Sequence, residues 1–175
     1  AQVAAADLTQ LGVHVDGDQW WLLLAAPFTP HVALSPAQLA QRMLALVNQA
    51  RAQARHCGGK AFSAAAPLDW NHPLSRAALG HATDMARNDY FSHTGRDGST
   101  PAERVQRAGY RFRATGENLA AGNLSLEAAV AGWRRSPGHC ATLMQAQFTE
   151  MGAAFAVDAR SRMGIYWVQS FGRPL

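Results

Sequence analysis

Apolar positions recur with helical spacing through the middle of the chain, and capping residues mark where these segments begin. At Ser35-Pro36-Ala37-Gln38 the serine can cap a helix, the proline suits its first position, and glutamine follows the cap by three residues. Apolar residues at helical intervals extend this segment to about Arg55. Comparable signals predict further helices that begin near Asn71, Thr100, Ser125 and Ser136.

Strand patterns flank the helical region on both sides. Near the N-terminus, Asp16-Gly17 lies between two runs of β-favouring residues, which predicts a hairpin. Towards the C-terminus, residues 150–157 and 163–171 have the composition of two further strands. Because no strand–helix–strand unit repeats, this order favours an α+β fold with an antiparallel sheet over a doubly wound parallel sheet.

The N-terminal hairpin needs a surface to pack on, because a lone hairpin is only marginally stable in water. Trp20 and Trp21 are neighbours on one strand and therefore point to opposite faces. We expect one of them to be buried against the main body of the chain and the other to be partly exposed. On this interpretation residues 1–34 form a hairpin and linker packed on the main domain, which comprises residues 35–175.

Composition indicates a single globular domain, which we expect to be a monomer. Of the 175 residues, 48% are hydrophobic and 16% are charged, so the chain can bury a substantial core. No apolar run approaches the length of a membrane-spanning helix, and we expect no transmembrane segment.

The basic charge comes almost entirely from arginine. The formal net charge is +4, and four arginines cluster within ten residues: Arg104, Arg107, Arg111 and Arg113. Few aromatic residues are interleaved with them, so we expect no nucleic-acid partner. We interpret the cluster as a solvated helix face; the alternative is contact with an anionic polymer or surface.

The two cysteines, Cys57 and Cys140, permit one disulfide that would close a long loop. The cysteine count leaves two buried free thiols as the alternative. Neither cysteine has a close-spaced partner of the Cys-x-x-Cys kind, so a disulfide is favoured over a role as soft metal ligands.

Three residues on separate segments are candidates for a polar site: His93, Glu117 and His139. Two imidazoles and a carboxylate are the usual minimum for a divalent metal centre or an acid–base pair. His93 follows the second predicted helix and precedes a polar turn, which favours a place in a cleft over a local capping bond. Glu117 needs a partner if it is buried. Its position is equally compatible with a structural hydrogen bond and with a role as a metal ligand or general base.

His139 lies in the first turn of the last predicted helix, where the helix dipole disfavours a protonated imidazole. A neutral imidazole suits metal binding or general-base work, and a surface capping contact is the alternative. His81, by contrast, lies on an apolar helix face, and we expect it to be a hydrogen-bonded core histidine rather than a ligand.

From about Leu44 to Phe171 the chain resembles the bacterial, SCP-like extracellular branch of the CAP superfamily. This superfamily comprises the cysteine-rich secretory, antigen 5 and pathogenesis-related 1 proteins. The resemblance lies in five short motifs that occur in the family's order. They are Tyr90-Phe91-Ser92-His93, Gly116-Glu117-Asn118-Leu119, residues 138–144 with the Gly-His pair, and the two closing segments 148–152 and 166–172.

The resemblance implies a three-layer α–β–α sandwich with a central antiparallel sheet, here preceded by the N-terminal β-hairpin. It also implies a secreted or periplasmic protein, in which a disulfide between Cys57 and Cys140 fits the oxidising environment.

The resemblance further implies a cleft in which His93, Glu117 and His139 fill three places of the family's tetrad of two histidines and two acids. Some family members hold a divalent cation there, such as zinc. The second acid would lie three residues after Trp133, where this chain has Ser136. Metal binding is therefore expected to be weak, and no cofactor is required.

The function implied by the resemblance is non-enzymatic binding of a ligand at this cleft by a secreted SCP-like module. The alternative is a peptidase-like, metal-assisted hydrolase in which the two histidines are ligands and Glu117 is a ligand or general base. The partner is left open among a lipid, a peptide and a cell-envelope polymer.

Overall fold

The computed structural model describes residues 10–25, 32–123 and 125–175. The helices in these ranges are α1 (Pro36–Arg51), α2 (His72–Asn88), α3 (Pro101–Arg107), α4 (Leu126–Arg135) and α5 (Pro137–Leu143). The strands are β1 (Gln10–Asp16), β2 (Gln19–Ala25), β3 (Arg55–Cys57), β4 (Lys60–Phe62), β5 (Asp69–Trp70), β6 (Phe112–Ala121), β7 (Glu150–Val157) and β8 (Ile165–Pro174). The capping boxes predicted at Ser35 and Thr100 are both formed. None of these helices has the length and apolar character needed to cross a membrane.

Four strands form the central sheet, in the order β5-β7-β8-β6. β8 pairs antiparallel with both β7 and β6, whereas the two-residue β5 pairs parallel with β7. The predicted antiparallel arrangement is therefore confirmed for the three long strands. β6, for which the sequence predicted no strand, lies at one edge of this sheet and carries Glu117.

Residues of β8 alternate between two buried faces, and this alternation sets the three layers. Ile165, Trp167 and Phe171 pack into a core shared with α1, α4 and α5. Tyr166 and Val168 pack with α2 on the opposite face. Helices thus cover both faces of the sheet, and the expected α–β–α sandwich is confirmed.

Arg51, at the end of α1, is fully buried and holds the segment that follows α5. Its guanidinium donates to the carbonyl oxygens of Leu143 and Phe148 at 2.7 and 3.2 Å. It also donates to two other backbone carbonyl oxygens. A buried charge is tolerated only when its hydrogen-bonding groups are used, as they are here. These contacts fix α5, which carries His139, relative to α1.

Cys57 and Cys140 form a disulfide that joins β3 to α5 across a chain separation of 83 residues. Both cysteines of the chain are in this bridge, so the free-thiol alternative is wrong. The short hairpin of β3 and β4 was not predicted from the sequence. The apolar pattern extended α1 to about Arg55, whereas α1 ends at Arg51 and Arg55 begins β3.

The N-terminal hairpin forms as predicted, with β1 paired antiparallel to β2, but it does not bury its apolar side chains. Trp20 and Trp21 are 70% and 60% exposed, so the expectation that one of them is buried against the main domain is wrong for this structure. The physical reason lies in the run from Trp20 to Leu24, which places apolar side chains on both faces and singles out neither for burial. Residues 1–9 and 26–31 lie outside the described residues, and the domain boundary after residue 34 stays a prediction.

Replacing both cysteines by alanine should lower the free energy of unfolding, because the unfolded chain regains the entropy that the bridge removes. The chain-entropy model gives about 4–5 kcal/mol for a loop of this length. Urea denaturation of the Cys57→Ala/Cys140→Ala variant beside the wild type measures the difference. Thiol titration of denatured, unreduced wild type should find no free thiol, and two free thiols would contradict the bridge.

Trp20→Ala and Trp21→Ala should each change the free energy of unfolding by less than about 0.5 kcal/mol, because truncating an exposed side chain costs little. The matched comparison is Trp133→Ala in the core, which should cost about 3–5 kcal/mol. Urea denaturation of the three variants decides the question. A core-sized loss in either hairpin variant would show that the hairpin packs on the domain after all.

Candidate functional site

Glu117 lies in the edge strand β6, and its side chain is only 3% exposed. It shares a face of the strand with Leu119, which packs into the core on the α2 side of the sheet. One carboxylate oxygen, Oε1, lies 2.8 Å from Nδ1 of His93. The other, Oε2, accepts a hydrogen bond of 2.8 Å from Nη2 of Arg104. Both oxygens of this buried carboxylate are therefore engaged.

Arg104 is the functional residue that the sequence analysis missed. It belongs to the arginine cluster interpreted as a solvated helix face, yet its side chain is only 11% exposed. Its guanidinium also donates to the carbonyl oxygens of Ser99 and His93, at 2.8 and 2.9 Å. The interpretation is wrong for Arg104, because a buried carboxylate needs a cationic partner and α3 supplies it. The only sign of this role in the sequence was that Glu117, if buried, would need a partner that the sequence did not identify.

His93 lies in the loop after α2, with 53% of its side chain exposed. Because a carboxylate oxygen can only accept, the imidazole Nδ1 carries the proton that lies between it and Glu117. In the neutral ring, Nε2 then has a lone pair and accepts hydrogen bonds. Glu117 thus orients His93 and sets its tautomer, while Arg104 holds the carboxylate and the loop backbone in place.

His139 lies half-buried in the first turn of α5. Its carbonyl oxygen accepts a hydrogen bond of 3.2 Å from the side-chain amide of Asn118, the neighbour of Glu117 in β6. Burial lowers the pKa of His139 from its usual value of 6.5, and the charge that His93 carries when protonated lowers it further. The neutral imidazole expected from the sequence agrees in direction, but burial rather than the helix dipole is the leading cause.

The structure brings His93 and Glu117 into direct contact, whereas the imidazole of His139 makes no hydrogen bond to either within the described part of the chain. We tested whether the divalent cation implied by the resemblance fits these residues. Among residues 10–25, 32–123 and 125–175, no three His, Cys, Asp or Glu side chains are grouped so that they could hold a metal ion. The Arg104 guanidinium also lies against the carboxylate, where it would repel a cation. The donor set, as arranged here, does not fit a metal ion.

Comparison with known proteins assigns the chain to a family. The model of the cysteine-rich secretory protein family, CAP, matches residues 44–171. The chain is 34% identical over 106 residues to an uncharacterized membrane protein, YlbC, of Bacillus subtilis (strain 168), a match that covers 61% of this chain and 29% of that protein. It is 29% identical over 105 residues to the uncharacterized protein YkwD of the same strain, covering 60% and 39%. The chain therefore spans well under half of the length of these relatives.

Solved structures of similar shape come from bacteria as well. An extracellular protein containing an SCP domain from Bacillus anthracis str. Ames superposes with a TM-score of 0.65 at 29% identity, covering 88% of this chain and 47% of that one. An outer surface protein from Borrelia burgdorferi gives a TM-score of 0.64 at 21% identity, covering 81% and 97%, and supports the fold alone. The family match spans both histidines, the carboxylate and both cysteines. This chain therefore belongs to the cysteine-rich secretory protein (CAP) family, in its bacterial SCP-like branch.

Proposed function

We propose that this protein is an extracytoplasmic binding module that takes up a cell-envelope polymer at the cleft of His93, Glu117 and His139, without hydrolysing it. The proposal rests on the observation that both carboxylate oxygens of Glu117 are already paired. Its two oxygens are used by His93 and Arg104, so the carboxylate orients an imidazole instead of binding a cation or accepting a substrate proton. The exposed imidazole is what remains available to a ligand.

The chemistry of the cleft favours a ligand that presents hydrogen-bond donors. In the neutral ring, the Nε2 atom of His93 is an acceptor, because Nδ1 carries the proton. The His139 imidazole favours its neutral form, because burial lowers its pKa from the usual value of 6.5. Hydroxyl and amide groups are the donors that polysaccharide and peptide parts of an envelope polymer supply.

An extracytoplasmic location supports this partner. The Cys57–Cys140 disulfide is typical of proteins that fold in an oxidising compartment. A protein of similar structure that is 29% identical to this chain is described as an extracellular protein. A module in such a place meets envelope polymers at high local concentration.

Soluble peptidoglycan fragments released by lysozyme are a suitable probe, because they carry hydroxyl and amide donors. Titrated into ¹⁵N-labelled protein, they should shift the amide signals around His93 and His139. The His93→Ala variant should bind at least about tenfold more weakly, equivalent to about 1.4 kcal/mol. His56→Ala, which removes an exposed histidine on β3, is the matched control and should bind as the wild type does.

The same samples distinguish binding from hydrolysis. Mass spectrometry of the fragments after long incubation, with and without added zinc, should find them unchanged. Conversion of the fragments by wild type but not by His93→Ala would replace the binding module with the hydrolase. Equal affinities of wild type and His93→Ala would remove the cleft from the binding site.

A further inference from the structure

The N-terminal hairpin of β1 and β2 has one face that is entirely apolar. The run from Trp20 to Leu24 in β2 does not distinguish the two faces, but the register with β1 does, because directly paired residues point to the same side. One face carries polar side chains, among them His14 and Gln19. The other, which we name the hairpin face, consists of three apolar pairs: Leu11 with Leu24, Val13 with Leu22, and Val15 with Trp20.

The hairpin face is uncovered. Its six side chains are exposed by between 47% at Val15 and 70% at Trp20. Monomeric proteins rarely expose so many neighbouring apolar side chains, and such a patch marks an interaction site. β1 and β2 also form a sheet of their own, so the outer edge of each strand has no strand partner among the described residues. The hairpin therefore needs a partner that offers both an apolar surface and a strand edge.

The main domain has an open strand edge at β7. One side of β7 pairs with β8, and the other side pairs with β5 only at Glu150 and Met151. On that second side the carbonyl oxygens of Thr149 and Met151 accept backbone hydrogen bonds of 3.0 and 2.8 Å. Because backbone direction alternates along a strand, the N–H and C=O groups of Phe155 and Val157 point to the same side. No described strand pairs with β7 there, so its edge is open at these two residues.

An apolar pocket of about 200 Å³ lies beside this edge. Three consecutive residues of β7, from Ala153 to Phe155, line it, and their side chains alternate between the two faces of the sheet. The pocket therefore lies at the edge of the strand and not on one face of the sheet. Its other walls include Leu34 and Leu39 at the start of α1 and the exposed Leu79 of α2. The domain thus offers an apolar surface next to an open strand edge.

The hairpin and the rest of the chain have complementary charges. The hairpin turn carries Asp16 and Asp18, and all 16 lysine and arginine residues of the chain lie after the hairpin. An acidic hairpin is attracted to a basic domain, whereas two acidic hairpins repel each other. The acidic turn also disfavours a surface of anionic lipids. The charges therefore favour the domain of a second copy as the partner of the hairpin.

We propose that two copies of this chain exchange hairpins. The hairpin of each copy adds to the open edge of β7 in the other, and the hairpin face covers the pocket at Leu79. Strand addition pairs the open backbone groups, and burial of apolar side chains supplies the driving force. Each copy gives one hairpin and receives one, so the assembly closes at two copies. This dimer departs from the monomer expected from composition, and it goes beyond the function proposed for the His93 cleft.

The exchange depends on protein concentration, and the stabilities predicted above for Trp20→Ala and Trp21→Ala are those of the monomer. Analytical ultracentrifugation should show the wild type converting from monomer to dimer as its concentration rises from about 1 μM to about 1 mM. A wild type that stays monomeric over this range, or that assembles beyond the dimer, would overturn the proposal.

Two neighbouring leucines of β2 test which face is used. Leu22 lies on the hairpin face and Leu23 on the opposite face, and they are 68% and 70% exposed. Leu22→Glu should weaken dimerisation at least about tenfold, because it would bury a carboxylate in the apolar contact. Leu23→Glu is the matched control and should dimerise as the wild type does. Equal effects of the two substitutions would overturn the hairpin face as the contact.

Two positions on the domain test the acceptor. Leu79→Glu should also weaken dimerisation, whereas Phe91→Glu, at an equally exposed apolar residue outside the pocket, should not. Val157→Pro removes an N–H group at the open edge and should weaken dimerisation, whereas Val157→Thr keeps this group and should not. Thermal denaturation should show that the four variants are folded. Full dimerisation of Leu79→Glu would overturn the pocket as the acceptor.

Mixing two variants distinguishes exchange between copies from docking of a hairpin on its own chain. Leu22→Glu has an intact pocket and Leu79→Glu has an intact hairpin, so one of the two contacts can form between them. Unlabelled Leu79→Glu should shift the amide signals of Phe155 and Val157 in ¹⁵N-labelled Leu22→Glu, whereas unlabelled Leu22→Glu should not. Absence of this shift at about 1 mM of each variant would overturn the exchange.

Discussion

A carboxylate with 3% of its side chain exposed cannot remain ionised without a partner, and Glu117 has two. Arg104 supplies the charge and His93 supplies the second hydrogen bond. Removing one partner of a buried ion pair typically costs about 3–5 kcal/mol, so these three side chains act as one structural unit. The unit also decides the chemistry of the candidate site. A carboxylate already neutralised by a guanidinium is a poor ligand for a cation, and a histidine that it orients is a good acceptor for a donor on the ligand.

The framework that presents this unit is the alternation of side chains across the central sheet. β8 is buried on both faces, which leaves the edge strand β6 to carry the polar residues. Glu117 and Asn118 are adjacent in β6 and point to opposite faces. Glu117 therefore meets Arg104 from α3, while Asn118 holds the backbone of His139 from α5. The disulfide and the buried Arg51 fix α5, which carries His139, against the rest of the core.

Much of the fold could be predicted from local signals, because caps and turns are specified by neighbouring residues. The capping boxes at Ser35 and Thr100 and the Asp16-Gly17 turn each depend on contacts within a few residues, and each is found. β6 was missed because its mixture of small, polar and charged residues lacks a clear alternation. The exposure of Trp20 and Trp21 was mispredicted because a run that is apolar on both faces does not say which face is buried.

The sequence identified the residues of the candidate site but not which of them contact one another. His93, Glu117 and His139 could be named from their motifs, yet periodicity does not say which cation a buried carboxylate meets. Arg104 lies thirteen residues before Glu117, in a cluster that reads as a helix surface. Only the tertiary packing of α3 against β6 turns that surface residue into a buried partner.

The most direct test of this account is the tautomer of His93, measured by nitrogen NMR of the imidazole rings at about pH 8, above the reference histidine pKa of about 6.5. The account predicts that Nδ1 of His93 carries the proton and that Nε2 does not, and that this assignment is lost in Glu117→Leu, which has no hydrogen-bond acceptor. It also predicts that adding zinc leaves the signals of His93 and His139 unchanged. A His93 protonated at Nε2, or signals of both histidines that shift together as one zinc ion binds, would contradict it.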